Sequence, residues 1–197
     1  VKPTTNSGGS KGVWICLNEK EILEYLNENL SNIDNICVQP YIGDENSEFT
    51  VGVLSDKNGK IIDSIVMQRK LIGLSLHTQR KFENKNFAIS TGYSQGFIVK
   101  DSFIQDFCEK VAAKLESKGP LNIQLRTDKN TGKIYIFEIH PRFSGTTPIR
   151  ADVGFNEVDI FLRNVLFDEK FGRLNYQYNV AAIRAFQHVI VPIEKML

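Results

Sequence analysis

Asn122-Ile123-Gln124, followed by Phe137-Glu138-Ile139-His140-Pro141-Arg142-Phe143-Ser144-Gly145, is the stretch whose reading decides the fold. Residues 121–128 alternate apolar and polar side chains, Lys129-Asn130-Thr131-Gly132 interrupts them, and residues 133–139 alternate again. This pattern predicts a β-hairpin with an Asn/Gly-containing turn. With strand alternation, Gln124 shares a face with Asn122 and Arg126, and Glu138 shares one with Ile136 and His140. Antiparallel pairing then gathers an amide oxygen, a carboxylate and an imidazole, with the Arg142 guanidinium just beyond. Such a set suits a divalent cation that holds polyphosphate, with Arg142 over the charge that develops during transfer. The candidate metal ligands are therefore Gln124, Glu138 and His140, and Arg142 is a candidate catalytic residue.

A single Gln or Glu on a strand is ordinarily just a solvated residue, but the ordered string is more specific. It resembles the metal-binding segment of the ATP-grasp superfamily, in which an N-x-Q strand precedes an E-[IV]-N-P-R strand end. The likeness is greatest to carbamoyl phosphate synthase large chains and their ligase-like relatives. His140 stands where that family usually has Asn. The resemblance runs from Lys2 to Phe167. It implies an α+β ATP-grasp fold whose two lobes, with antiparallel sheets, enclose the nucleotide. Residues 1–69 would form the smaller lobe and residues 70–197 the larger one.

Composition sets outer bounds. At 197 residues and 42% hydrophobic, the chain can bury one sizeable core or two small lobes. A net charge of +1, with basic and acidic residues interspersed, argues against an electrostatic nucleic-acid binder. Cys16, Cys37 and Cys108 sit singly in apolar segments without metal-ligand spacing and read as small buried hydrophobes of a reducing cytoplasm. No apolar run reaches the roughly 20 residues of a membrane span, and no signal peptide is visible. The expectation is a soluble cytoplasmic protein. Val1-Lys2-Pro3 reads as the end of a strand entering a glycine loop. By the resemblance, an upstream domain and the first part of the nucleotide-binding domain would precede it, so the chain reads as a fragment that does not turn over alone.

Local signals order the elements. Residues 7–12 form a Ser/Gly loop and 13–17 a short strand. Asn18 with Glu21 caps a helix whose apolar face is Ile22, Leu23, Leu26 and Leu30. Residues 36–42 predict a strand and 43–47 a polar turn. Residues 49–55 and 61–68 predict a hairpin about Asp56-Lys57-Asn58-Gly59. Residues 73–96 lack periodicity and read as a long mobile loop with a strand at its end. Residues 101–118 predict a helix with Ile104, Phe107, Cys108, Val111 and Leu115 inward, stopped by Gly119-Pro120. Asn156 with Asp159 caps a helix through Phe167, and residues 180–192 predict a last strand.

The remaining site residues rest on the resemblance. Lys2 would contact nucleotide phosphates, and residues 7–12, with Ser7, Gly8, Gly9 and Ser10, would close over them as a lid. Glycine lets phosphate approach the backbone closely. Gln39, Pro40, Tyr41 and Ile42 would be the adenine hinge and Glu48 the ribose partner, by similarity to D-alanine–D-alanine ligases and their kin. Gln39 stands where Glu is frequent, and residues 44–47 enlarge the turn. Arg69, Lys70, His77, Arg80 and Lys81 precede or enter the long loop. Arg69 and Arg80 are the candidates for facing transferred phosphate or acceptor carboxylate, because an arginine fork binds either in two-point fashion. His77 and His188 read as surface or packing residues. Ser144-Gly145-Thr146 would line the acceptor pocket.

The implied reaction is ATP-dependent activation of a carboxylate as an acyl phosphate, with Mg2+ or Mn2+, followed by attack of an amine or another nucleophile. The partners are small-molecule substrates, and a homodimer or a partner subunit is compatible. Two other readings compete: part of a carbamoyl phosphate synthase large chain, and a non-catalytic nucleotide-binding module, which the His140 departure favours.

Overall fold

The computed structural model describes residues 1–5, 8–29, 35–186, 190 and 192. In chain order the strands are β1 (Lys2–Pro3), β2 (Ile36–Cys37), β3 (Glu48–Ser55), β4 (Ile61–Arg69), β5 (Leu76–Phe82), β6 (Lys85–Ser90), β7 (Gly96–Val99), β8 (Pro120–Asp128), β9 (Lys133–His140) and β10 (Val180–Ala182). The α-helices are α1 (Glu19–Glu28), α2 (Ser102–Lys114), α3 (Thr147–Asp152) and α4 (Glu157–Phe167).

Six strands form one antiparallel sheet in the order β10-β7-β4-β3-β8-β9. Alternation sorts its side chains. Phe49, Val51 and Val53 of β3, Val66 of β4 and Leu121, Ile123 and Leu125 of β8 point to one face, where Ile104, Cys108 and Ala112 of α2 cover them. Burying an aliphatic side chain of this kind contributes about 1.5–3 kcal/mol. Burial, with the neighbouring Glu109 charge, pushes the Cys108 thiol up to about 12, so it acts as a small hydrophobe. On the opposite face, Leu54, Ile62, Ile65, Met67 and Ile98 pack against Phe155 and Ile160. That packing, which α4 and the residues around α3 supply, covers one end only. The other end carries Glu48, Thr50, Arg69, Asn122, Gln124 and Arg126.

The expected β3–β4 and β8–β9 hairpins form, and three helix caps stand on one geometry. Asn18 accepts from the Glu21 N–H at 3.0 Å, Asp101 from Ile104 at 3.0 Å and Asn156 from Asp159 at 3.2 Å. Several expectations give way. Residues 13–17 form no strand, although Trp14 exchanges two backbone bonds with Val1. The strand expected over 36–42 is only β2, since Pro40 has no N–H to give a ladder. Residues 73–96 are not an unstructured loop. They contain the β5–β6 hairpin, which is polar or exposed on much of both faces and so gave no apolar alternation to read.

Helix α2 stops at Lys114, before the expected Lys118, because Glu116 turns left-handed at φ 51°, and Leu115 is exposed instead of packed inward. Leu23 of α1 is likewise exposed, and Leu30 lies outside the described residues. α3 was not anticipated. The last strand is confined to β10: residues 183–186 form no strand, and residues 187–189 and 191 of its expected span, His188 among them, lie outside the described residues. The expected division at residue 69 does not follow the sheet: β3 and β4 are bonded between β8 and β7. The β5–β6 hairpin, assigned to the larger lobe, is tied to the N-terminal elements by Arg80 to Glu21 and by Tyr41 to Ala88.

Residues 168–179 cross the free end of β4. Asp63 accepts from the Leu174 N–H at 2.8 Å, and Arg173 bridges Asp63 and Glu109. Burial raises the Glu109 carboxyl, but Arg173 and the Ser64 hydroxyl outweigh it and hold the group below its usual 4.5. A depressed carboxylate contributes stability above its unfolded value and loses it as pH falls through the folded one. The stability lost in Arg173→Met, about 1 kcal/mol or less because Arg173 is largely exposed, is therefore expected in full above pH 4.5 and should fade as pH falls below 4.5 through the lowered folded-state value. Urea melts of both proteins on either side of that pH check it, and a pH-independent difference would exclude the ion pair as its cause.

Candidate functional site

The register of β8 against its neighbours builds the site. Glu48 lies opposite Arg126, Thr50 opposite Gln124 and Gly52 opposite Asn122. On the other side Asn122 lies opposite His140 and Gln124 opposite Glu138, while Leu125 lies opposite Ile136. The ladder shifts between Gln124 and Leu125, so Phe137 is an extra residue, a β-bulge. The bulge changes the expected facing. Ile136 joins the core face under α2, and Glu138 and His140 turn to the face of Gln124. Plain alternation, which put Glu138 with Ile136, could not anticipate this.

Gln124, Glu138 and His140 are brought together in one hydrogen-bonded row. The Gln124 amide donates to Glu138 Oε1 at 2.5 Å, and His140 Nε2 meets the same oxygen. The Gln124 carbonyl oxygen accepts from Arg69 Nη1 at 3.3 Å. Exchanging the amide's ends would set its NH2 against the guanidinium, so the oxygen stays turned away from Glu138. In this arrangement the Gln124 oxygen is engaged by Arg69. The two donors that a cation could use are the Glu138 carboxylate, whose Oε2 is unbonded among the described residues, and the His140 ring, 40% and 37% exposed. Gln124 instead orients the carboxylate. Among the described residues no three His, Cys, Asp or Glu converge on one point. A mixed carboxylate–imidazole pair fits a divalent cation in two places and suits manganese better than magnesium.

Glu48 is not an open ribose partner. It is 2% exposed, and its two oxygens are held by Arg69 Nη1 at 2.8 Å and Arg126 Nη2 at 2.8 Å. Arg69, also 2% exposed, further donates to the Thr91 and Tyr93 carbonyls at 2.9 and 3.0 Å. Burial lowers the Arg69 pKa, with Glu48 opposing. Its Nε–H is buried without a hydrogen-bond partner among the described residues. The glycine loop meets the same segment: a Cβ added to Gly92 would lie 3.9 Å from the Gly9 Cα. Gly9 itself has φ +68°, which glycine takes freely.

The hinge residues follow two patterns. Gln39 and Pro40 are exposed, whereas Tyr41 and Ile42 are half-buried and locked. Tyr41 exchanges two 2.9 Å bonds with Ala88, and the Ile42 carbonyl accepts from Arg126 at 3.2 Å. Arg142 is exposed beside Glu138 and His140 in sequence and donates to the Phe143 carbonyl. Arg80 is not with them: it binds Glu21 and the Ile15 carbonyl at the start of α1. Lys2 lies in β1, paired opposite Cys37, and Gly8–Ser10 is a short 3-10 turn. Ser7 lies outside the described residues.

Lys70 reaches Asn46 at 3.2 Å, and His77 is exposed. Ser144 and Thr146 bond each other at 2.6 Å, and the Gly145 carbonyl accepts from Arg184. Two residues were missed. Arg126 was legible as the next residue but one on Gln124's face; Arg184, far along the chain, gave no local signal.

Residues 32–186 match the family described as ATP-grasp in the biosynthetic pathway with Ter operon. The chain belongs to that ATP-grasp family. It is similar to the carbamoyl phosphate synthase large chain of Clostridium botulinum (strain Loch Maree / Type A3), 28% identical over 98% of this chain. It is also similar to the arginine-specific large chain of Bacillus subtilis (strain 168), 27% identical over 78% of this chain. The chain spans only 17% and 14% of those relatives' lengths. N5-carboxyaminoimidazole synthetase from Staphylococcus aureus superposes with a TM-score of 0.53 at 15% identity, over 83% of this chain and 40% of that one. The corresponding ribonucleotide synthetase from Thermus thermophilus gives 0.52 at 12%, over 88% and 42%. The structural likeness speaks to the fold. No helix among the described residues is long and apolar enough to cross a membrane.

Removing one partner of a buried ion cluster leaves the others uncompensated. Glu48→Ala is therefore expected to destabilise the chain by about 3–5 kcal/mol in urea unfolding, and a loss below about 1 kcal/mol would mean the cluster is solvated. Deleting Phe137 removes the extra residue and makes Ile136 and Glu138 neighbours, so plain alternation keeps Ile136 in the core and Glu138 on the face of Gln124. Retained Mn2+ binding is therefore expected, and its loss in a folded variant would show that the bulge itself shapes the site.

Proposed function

We propose that this chain is the nucleotide- and metal-binding part of a cytoplasmic ATP-dependent carboxylate–amine ligase. A carboxylate oxygen attacks the γ-phosphorus of ATP, ADP leaves, an amine or another nucleophile attacks the acyl phosphate carbon, and phosphate departs. The observation that carries the reading is the bulged β9, which sets Glu138 and His140 beside Gln124 and ahead of Arg142 on the open end of the sheet. Family membership supports ATP as the nucleotide. A bound divalent cation would neutralise polyphosphate charge. Glu138 and His140 would hold it, Gln124 would keep the carboxylate aimed, and Arg142 would steady the transferred group. Residues 39–42 would meet the adenine, residues 8–10 the phosphates and residues 144–146 the acceptor. Lys2 would add a positive charge at the phosphates. Residues 1–47 and the β5–β6 hairpin, tied to each other, would make the smaller lobe over the six-stranded sheet.

A second reading, that the chain is a portion of a carbamoyl phosphate synthase large chain, is supported by 28% identity to such a chain along 98% of this one. In either case, given the share of the relatives' length it spans, the chain is expected to bind nucleotide without completing turnover alone. Calorimetric binding of bicarbonate against a panel of larger carboxylates, with nucleotide and metal present, separates the two. Failure to bind ATP with either metal would overturn both.

Calorimetric titration of the metal–nucleotide complex tests the roles. Gln124→Leu is expected to weaken metal affinity by about 10- to 100-fold, as loss of a ligand's orienting partner does. His140→Asn is expected to raise the ratio of magnesium- to manganese-supported binding. An unchanged ratio would leave His140 outside the coordination sphere.

A further inference from the structure

Arg126 makes contacts that a residue serving the Glu48 cluster alone would not need. Its Nη1 donates to the Ile42 carbonyl at 3.2 Å, and its Nη2 donates to the Ala88 carbonyl at 2.8 Å as well as to Glu48. Its guanidinium lies 4.3 Å from the Tyr41 ring centroid. Tyr41 is held in turn: its hydroxyl donates to the Ala88 carbonyl and accepts from the Ala88 N–H, and its ring meets Phe87 edge-on at 5.0 Å. One guanidinium thus ties β8, β6 and the end of the 39–42 segment together.

The peptide that Arg126 grips is the one most able to rotate. It joins Ile42 to Gly43, whose φ is +69°, and an added Cβ there would come within 2.5 Å of the Ser47 side chain and the Thr127 carbonyl. Glycine is required, and glycine also leaves this peptide free to flip if nothing holds its oxygen. Upstream, among the described residues, the N–H groups of Gln39, Tyr41 and Ile42 and the carbonyls of Gln39, Pro40 and Tyr41 carry no hydrogen bond. They form an edge of unpaired donors and acceptors in fixed order, exposed at Gln39 and Pro40 and half-buried at Tyr41 and Ile42.

We infer that Arg126, with Tyr41, is a positioning lock that makes this edge selective for a 6-aminopurine over a 6-oxopurine. The inference rests on the nucleotide reading of residues 39–42. Adenine offers an amine donor and the N1 acceptor, while guanine offers the O6 acceptor and the N1–H donor, so the same backbone order cannot serve both. With the Ile42 oxygen held by Arg126, the peptide cannot flip to present the opposite order. Without that grip, the Gly43 N–H and the Ile42 carbonyl can exchange places toward the ligand. A site that commits buried or fixed hydrogen-bonding groups discriminates far more strongly than one relying on shape.

The test is calorimetric affinity for ADP and for GDP, with manganese, on the full chain and on Arg126→Lys and Tyr41→Phe. Lysine keeps the positive charge opposite Glu48 but loses the fork and the stacking; phenylalanine keeps the ring under Arg126 and loses both Ala88 bonds. The ADP-to-GDP preference is expected to fall by about tenfold or more in Arg126→Lys and to fall in Tyr41→Phe. A purely structural role would lower the melting temperature, or weaken both nucleotides alike, with the preference unchanged. That result in a folded variant overturns the inference. If Arg126→Lys does not fold, Tyr41→Phe decides by the same ratio. A wild-type chain that binds neither nucleotide defeats the nucleotide reading itself and the lock with it, whereas wild-type binding of ADP with unchanged variant ratios defeats the lock alone.

Discussion

A carboxylate as enclosed as Glu48 can stay charged only if cations are delivered to both its oxygens, and that requirement organises this end of the sheet. The backbone ladder supplies Arg126 directly, since it lies opposite Glu48 in register. Arg69 comes from the end of β4, beyond the last β3–β4 partners. Two buried guanidiniums then need acceptors of their own. Arg69 takes the carbonyls of the 91–93 loop, which brings that loop against Gly9. Arg126 takes the carbonyls of Ile42 and Ala88, which fixes the segment entering the sheet. The remaining reach of Arg69 turns the Gln124 amide, and the amide in turn aims Glu138. Each step follows from satisfying the donors or acceptors left by the one before it.

The sequence made the ladder legible where one face was apolar and the other polar. Leu121, Ile123 and Leu125 interleaved with Asn122, Gln124 and Arg126 leave no doubt about β8, and Gly132 marks its turn. The β5–β6 hairpin escaped because Thr78, Arg80, Gln79 and Lys81 give neither face an apolar stripe; tertiary contacts from Tyr41 and Glu21 hold it. The bulge at Phe137 escaped for another reason. Nothing in Ile136-Phe137-Glu138 distinguishes an extra residue from ordinary alternation, and the shift follows from Ile136 fitting the α2 core while Glu138 does not. Chemistry was readable from residue types, but pairing was not. Glu48 could be identified as a special carboxylate, yet its two arginines come from residues 69 and 126 and meet it only after folding.

The polar face of β8 joins two buried networks with different tasks. Asn122 accepts from Arg150 Nη2 at 2.6 Å and from the Thr50 hydroxyl at 3.1 Å, and Arg150 pairs with Glu157 of α4. A Cβ at Gly52 would lie 2.4 Å from that guanidinium, so this position of β3 must lack a side chain for Arg150 to reach the sheet. The network fastens α3 and α4, and so the loop carrying Ser144 and Thr146, to the strand that also carries Gln124 and Arg126. Asn122, two residues before Gln124, lies opposite His140 yet gives its oxygen to Arg150 and Thr50, and so is withheld from any cation beside His140. Strand alternation thus divides labour along three successive positions of one face: Asn122 anchors the helices, Gln124 aims Glu138, and Arg126 holds the hinge. A shift of the β8 register by one residue would turn all three into the α2 core at once, which is why the apolar alternation on the other face protects the chemistry on this one.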